Sequence, residues 1–469
     1  MTIDQIWIIY YYGFMKIEIL LHNKHLEYPA LFAEQDPHLS RLKNQTFIHH
    51  PSLLDELPYT EPGIYTLGGG RQIGKTTLLK QWMLKLLQQQ VEPTNIFFLS
   101  GEMIDDHHQL LKIIEEILPA TNPAHSLFYL IIDEVTYIKD WDKAIKFAAD
   151  AGMFTNVVVL LSGSDLVLMK QARMRFPGRR GLADKTDFHL YPLSFYEFVK
   201  LTQQVENAEV LRFSAKLPTQ NEMTQLFTAF QHYLIHGGYL TAINDYAKSG
   251  FIHKATLQTY SDWVRGDMLK RNKQEHSLQE LMGGIIKRYG SQITWHALAK
   301  DLSIEHHQTV ADYIALLESM DVVLIQQALV EDKLSAAPKK ARKVFFTDPF
   351  IFHAIHAWVK PVAQPFTEQM QPFLQDNDNC ASLVEGCVVA HYHRLYPTYY
   401  IKAESEVDVA YIDQGKFWPV EIKWTNQLRA KDLKQISKYS RAKILARNSQ
   451  PEAIGNIPVI ALPLGLLRL

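Results

Sequence analysis

The chain has 469 residues, 47% of them hydrophobic and 21% charged, which is room for about three domains with real cores and excludes global disorder. Lysine and arginine number 48 against 50 acids, a net charge of −2, so overall charge excludes a bulk polyanion binder and leaves nucleic-acid contact to local patches. Cys380 and Cys387 are the only cysteines, and with no signal peptide evident they read as reduced thiols of a cytoplasmic protein.

Residues 1–50 form an N-terminal lead-in. Its apolar stretch Ile6 to Phe14 is too short to span a bilayer, so no membrane partner is expected. Asp4 stands where a signal peptide needs cations. The stretch reads as a buried strand or helix, or as residues upstream of a native start at Met15. From 51 to 200, apolar strand candidates (Ile64 to Leu67, Asn95 to Leu99, Leu127 to Ile132, Val157 to Leu161) alternate with helix patterns at Thr76 to Gln89, Asp106 to Leu118 and Lys139 to Ala149. Continuous apolar runs between amphipathic helices predict an α/β fold with a parallel sheet covered on both faces. Residues 201–275 carry helical periodicity only. Residues 276–348 read as three helices and two strands (Val322 to Leu329, Lys343 to Thr347), with a turn at Ser303. Prolines at 361, 365 and 372 punctuate a linker over 349–379. Residues 380–469 read helix, strand, strand, strand, helix, strand.

The most informative segment is Gly69-Gly70-Arg71-Gln72-Ile73-Gly74-Lys75-Thr76, followed by Thr77. It fits the phosphate-binding loop G-x-x-x-x-G-K-[ST], and it lies between a strand and a helix as that loop requires. Glycines let backbone N–H groups turn inward, and the helix N-terminus adds positive potential. Lys75 is placed to reach the β- and γ-phosphates of ATP, and Thr76 to hold Mg²⁺. The strand ending at Ile132 delivers Asp133-Glu134 to the carboxyl edge of the sheet, where ligands of such sheets bind. Asp133 is the expected Mg²⁺ partner, and Glu134 the group that polarises the attacking water. Ser162 or Ser164, after the next strand, is a candidate sensor of the γ-phosphate, although a plain turn explains them too. Arg179, in Pro177-Gly178-Arg179-Arg180-Gly181, is the candidate arginine finger offered to a neighbouring copy in a homo-oligomer, with a solvated basic loop as the alternative.

Gly70 to Thr77, Asp133-Glu134-Val135 with Trp141, Ser162-Gly163-Ser164, Gly178-Arg179 and Tyr191-Pro192-Leu193-Ser194-Phe195-Tyr196-Glu197-Phe198 stand in order. As a set they resemble the AAA-type ATPases of prokaryotes that carry a C-terminal domain of formerly unknown function. Gly237-Gly238-Tyr239-Leu240 stands where that family has Gly-Gly-Leu-Pro, a departure at the last two positions. The resemblance implies a P-loop AAA-type core, a helical lid over 201–275, a winged helix over 276–348 and a restriction-nuclease-like α/β end.

In that end, Asp408 lies on an alternating strand, and Glu421-x-Lys423 lies on the strand returning after Gln414-Gly415. Residues two apart on a strand share a face, so Glu421 and Lys423 project together with Asp408 beside them. This resembles the PD-(D/E)xK nuclease pattern. Asp408, Glu421 and Glu385 would hold Mg²⁺, Lys423 would stabilise the nucleophile, and Gln435 on a following helix would help. Glu-x-Lys is also common on exposed hairpins. Pro419 removes a ladder donor and predicts an edge or bulge nearby. The winged-helix reading places Gln308, Thr309, Asp312 and Tyr313 near a DNA groove, with Lys339, Lys340, Arg342 and Lys343 as a basic patch. The adjacent histidine pairs (49–50, 107–108, 306–307) do not face one way and read as solvated or capping groups. The expected function is an ATPase that couples nucleotide state to DNA binding and Mg²⁺-dependent cleavage. The alternative is a nucleotide-controlled scaffold that binds DNA or protein without cutting.

Overall fold

Alternation on the strands dictates the first layer of structure. In the computed structural model, strands β1 (Gly63–Gly68), β2 (Ile96–Ser100), β3 (Phe128–Asp133), β4 (Val157–Gly163) and β5 (Asp187–His189) form a parallel sheet in the order β2-β3-β4-β1-β5. Phe128, Leu130 and Ile132 point to one face, where α2 (His107–Thr121) and α3 (Trp141–Asp150) bring Leu110, Ile114, Trp141 and Ile145. Tyr129 and Ile131 point to the other, against Leu78, Leu79, Trp82 and Met83 of α1 (Lys75–Gln88). Both faces are covered, which is why the strands read as unbroken apolar runs.

The structure describes residues 21–121, 126–213, 216–302, 304, 306–425, 428, 433–447 and 453–469. The apolar stretch at 6–14, Asp4, Met15 and the turn at Ser303 lie outside them. The chain divides into two units, Met1–Leu190 and Tyr191–Leu469.

In the first unit the lead-in covers the free edge of β2. The Asn23 side chain pairs with the Phe98 backbone in both directions, each bond 2.8 Å, and His25 Nε2 donates to the Ile96 carbonyl at 2.9 Å. An uncovered edge strand would offer those groups to another chain. Lys80 of α1 anchors this cover. Its ammonium is fully buried, hydrogen-bonded to the His22 carbonyl, 3.4 Å from Asp36 and 3.7 Å from the centre of the Phe98 ring. Burial pulls the Lys80 ammonium down to about 8, with the Asp36 charge opposing the shift. Asp36 also caps the helix Pro37–Leu42 through the His38 and Leu39 N–H groups.

The second unit begins with helices Phe195–Thr202, Ala208–Phe213, Gln220–His236, Leu240–Ser249 and Lys254–Lys270. Two motifs of the sequence meet here. Leu193 N–H donates to the Gly238 carbonyl at 2.8 Å, and a Cβ on Gly238 would lie 2.0 Å from the Leu193 carbonyl oxygen. Only glycine permits that approach.

Helix Glu275–Lys287, α4 (Trp295–Asp301) and α5 (His307–Ser319) then lead into β6 (Val323–Val330), β7 (Ser335–Ala336) and β8 (Arg342–Phe346). After helices Pro349–Val359 and α6 (Asn377–Leu395) come β9 (Thr398–Lys402), β10 (Glu406–Asp413), β11 (Lys416–Lys423), β12 (Lys443–Ala446), β13 (Ala453–Ile454) and β14 (Ile457–Ala461). These form one nine-stranded sheet, β13-β14-β12-β11-β10-β9-β6-β7, with β8 paired to β6. The join is a parallel contact of β6 with β9 at Gln327 and Tyr399. The segments expected as winged helix and as nuclease-like end thus contribute to a single sheet.

Of the two alternatives for Pro419, the edge is corrected, since β11 lies between β10 and β12, and an irregularity does fall nearby, on β10 between Val407 and Ala410. The ladder with β12 starts at Val420, so the missing N–H of Pro419 lies just outside it.

Lys80→Met would leave the Asp36 carboxylate buried without its cation. The expected loss is about 3–5 kcal/mol, read as a lower thermal midpoint, with most of it regained in Lys80→Met/Asp36→Asn. A single variant as stable as the wild type would show that the pair does not hold the lead-in.

Candidate functional site

The loop over residues 69–74 joins β1 to α1. Gln72 and Gly74 take φ values of 58° and 105°, the left-handed region that a tight phosphate loop needs. Lys75 opens α1 and is buried, its Nζ donating to the Gly69 and Gly70 carbonyls at 3.0 and 3.1 Å. The same ammonium lies 3.3 Å from Glu134 Oε1.

Thr76 Oγ1 donates to one oxygen of Asp133 at 2.6 Å, and Ser162 Oγ donates to the other. The Ser162 hydroxyl also accepts the Glu134 N–H at 3.1 Å. Glu134 takes a left-handed conformation (φ 50°, ψ 43°), and Ser164 Oγ donates to its Oε2 at 3.0 Å. The loop, Asp133, Glu134, Ser162 and Ser164 therefore meet at the carboxyl edge of β1, β3 and β4. Ser162 is fully buried beneath Asp133, and Ser164 is the serine that touches Glu134. That division of labour was not readable from sequence, because either serine could follow the strand.

Of the two loop arginines, Arg180 is engaged internally, with two bonds to Asp187 at 2.7 and 2.6 Å and one to the Thr186 carbonyl at 2.8 Å. Arg179 pairs with Asp150 at the end of α3 and donates to the Pro177 carbonyl at 3.1 Å. Its side chain is partly exposed.

In the second unit, β10 carries Glu406 and Asp408, β11 carries Glu421 and Lys423, and α6 carries Glu385. One oxygen from each of Glu385, Glu406 and Asp408 lies within 4.8 Å of the other two. Ile422 N–H donates to Asp408 at 2.7 Å, fixing that carboxylate against β11, and Lys423 donates to Glu421 Oε1 at 2.6 Å. The other oxygen of Glu421 is buried with no hydrogen-bond partner.

Burial pushes the carboxyls of Glu385, Asp408 and Glu421 above the usual carboxylate range, and the Asp408 charge adds to the shift at Glu421. Sequence reasoning left Glu406 out of this cluster and put Lys343 in a DNA-facing basic patch instead. Burial opposes the charge on Lys343, but Glu385, Asp408 and Glu406 outweigh it, so its ammonium is held above the ordinary lysine range. Gln435 is buried beside a short 3₁₀ turn (Ile436–Lys438), where its amide donates to Tyr439 Oη at 3.3 Å.

Two expectations for the DNA-facing side are corrected. Tyr313 packs inward, buried, its hydroxyl accepting the Gln274 N–H at 2.9 Å. Gln308 and Asp312 are exposed and joined to each other at 3.0 Å. The basic patch keeps Lys339 and Lys340 at the surface, but Arg342 stacks over Trp295 at 4.6 Å and Lys343 is only 2% exposed.

Comparison with known proteins bears on this geometry. Residues 61–199 match the family model of an AAA domain. That stretch is an AAA-type P-loop fold. Residues 227–361 match a model described as a domain of unknown function. An uncharacterized protein of Haemophilus influenzae is 28% identical over 141 residues, which is 29% of this chain. The match spans 33% of that relative's length. The Walker-type ATPase PABY2304 of Pyrococcus abyssi is 13% identical with a TM-score of 0.41, covering 62% of this chain and 91% of that one. A RuvB variant of Thermotoga maritima is 18% identical with a TM-score of 0.27, covering 56% and 81%. Among the described residues, no helix is long and apolar enough to cross a membrane.

Ser162→Ala removes the hydroxyl that holds Asp133 and Glu134 together. A hydrogen bond to a charged group contributes about 1.5–3 kcal/mol, so the thermal midpoint is expected to fall by several degrees. An unchanged midpoint would remove Ser162 from the positioning of Asp133.

Proposed function

We propose that the chain is an ATP-hydrolysing AAA-type protein whose nucleotide state controls DNA bound by the second unit, with Mg²⁺-dependent phosphodiester cleavage there. The observation that carries the ATPase reading is the linked set Thr76–Asp133–Ser162 beside the Lys75 ammonium. These donors fit the groups implied. Thr76 and Asp133 offer hard oxygens side by side, as Mg²⁺ requires, and Lys75 is a cation at the mouth of a loop built for phosphate.

When bound, Mg²⁺ neutralises charge on the phosphate oxygens. Lys75 would exchange the loop carbonyls for the β- and γ-phosphates. Glu134, already oriented by Ser164, would accept a proton from the attacking water. Arg179 would serve a neighbouring copy, exchanging Asp150 for the γ-phosphate. In the second unit, the convergence of Glu385, Glu406 and Asp408, with Glu421 and Lys423 on the neighbouring strand, supports a second Mg²⁺ site. There Lys423 would stabilise the attacking oxygen at a DNA phosphate. The two free thiols, Cys380 and Cys387, fit a cytoplasmic setting.

A second reading has its own support. Lys343 sits among the carboxylates, an arrangement that suits a nucleotide-controlled scaffold binding DNA or protein without cutting.

Supercoiled plasmid incubated with the purified chain, Mn²⁺ or Mg²⁺, and ATP separates the two. Nicking that is lost in Asp408→Ala, and whose ATP dependence is lost in Lys75→Ala, is the expected result. Intact plasmid with ATP binding retained selects the scaffold. ATP hydrolysis unchanged in Lys75→Ala would overturn the ATPase reading itself.

A further inference from the structure

Lys343 comes from β8, far in sequence from every carboxylate it meets. It donates to Glu385 Oε1 at 2.6 Å and pairs with Glu406. Glu385 and Glu406 are two of the three residues that each offer an oxygen within 4.8 Å of the others. A divalent ion bound there would need oxygens of the same carboxylates at about 2.1 Å for Mg²⁺, and an ammonium hydrogen-bonded among them competes for that place. A lysine this deeply buried is stable only with such partners.

The charges point the same way. Four carboxylates, Glu385, Glu406, Asp408 and Glu421, face two ammonium groups, Lys343 and Lys423. Lys423 is taken by Glu421 Oε1, which leaves the buried Glu421 Oε2 without a hydrogen-bond partner. The cluster therefore has more acceptor capacity than its own cations use, and the ammonium among Glu385, Glu406 and Asp408 is that of Lys343.

We propose that Lys343 is an internal counter-cation that holds the carboxylate site in a metal-excluding state, so that a divalent ion enters only as Lys343 withdraws. This rests on the reading of the second unit as a metal site. Lys343 is a positioning residue here, not a catalytic one.

The test uses the full chain and Mn²⁺ alone, without nucleotide, with free Mn²⁺ counted by electron paramagnetic resonance. Lys343→Met and Lys343→Gln are each compared with the wild type and with the same variants carrying Asp408→Asn. The expected result is Mn²⁺ binding about ten-fold or more tighter on loss of the ammonium, with the gain abolished by Asp408→Asn. Asp408-dependent binding of equal affinity in wild type and variants would overturn the role of Lys343 and leave the metal site standing. No Asp408-dependent binding in any form would overturn both. Should the substitutions unfold the chain, the wild type answers by amine labelling and mass spectrometry. Labelling of Lys343 is expected to rise as Mn²⁺ binds, and constant labelling at saturating, Asp408-dependent binding would overturn the proposal.

Discussion

The Asp133 carboxylate is the point on which the first unit turns. The sheet order places β4 between β1 and β3. The phosphate loop after β1 and the acidic pair after β3 are therefore two strand spacings apart, about 10 Å. Asp133 spans that gap. One of its oxygens takes the Thr76 hydroxyl from the start of α1, and the other takes Ser162 from the end of the intervening strand. Ladder register makes the second bond possible, since Ile132 is level with Leu161 and Leu67 with Ser162. A buried carboxylate without such donors would be costly. Each donor here comes from an element that must be correctly placed, so the loop, the acid and the sheet order form one arrangement.

The second unit solves the same problem differently. The hydroxyls of Thr76 and Ser162 satisfy Asp133, whereas the carboxylates of Glu385, Glu406 and Glu421 rely on ammonium groups. Hydroxyls can share an oxygen with a metal ion without adding charge. An ammonium cannot, because it brings the charge that the ion would bring. The first arrangement is thus ready for a divalent ion beside Thr76, and the second is already balanced in part by its own lysines.

Much of this was legible in sequence where the cause is local. The strand runs of β1 to β4, the phosphate loop and Asp133-Glu134 follow from burial on two faces and from a fixed motif. β5 was not found, because three residues reading Asp-Phe-His carry no apolar run. The inward Tyr313 had a signal that was available: Val310, Tyr313, Ile314 and Leu317 fall at the spacing of one buried helix face, and all four are buried. For Pro419 only the edge alternative failed, because a missing ladder donor marks an edge or the end of a ladder alike. The pairings of Lys343 and Asn23 were invisible because their partners lie 42 and 75 residues away, and nothing local announces such a pairing.

The two lysines of the carboxylate cluster differ in that same respect, and the difference has a consequence. Lys423 and Glu421 sit two apart on β11, so their pair forms wherever that strand forms. The contacts of Lys343 need more. β8 must pair with β6, β6 must join β9, and α6 must present Glu385. The ammonium therefore reaches the cluster only when the segment expected as a winged helix and the segment expected as a nuclease-like end are parts of one sheet. The metal-excluding state belongs to that joined sheet and not to the carboxylate strands alone. Whatever loosens β8 from β6 acts on the cluster without touching any of its carboxylates.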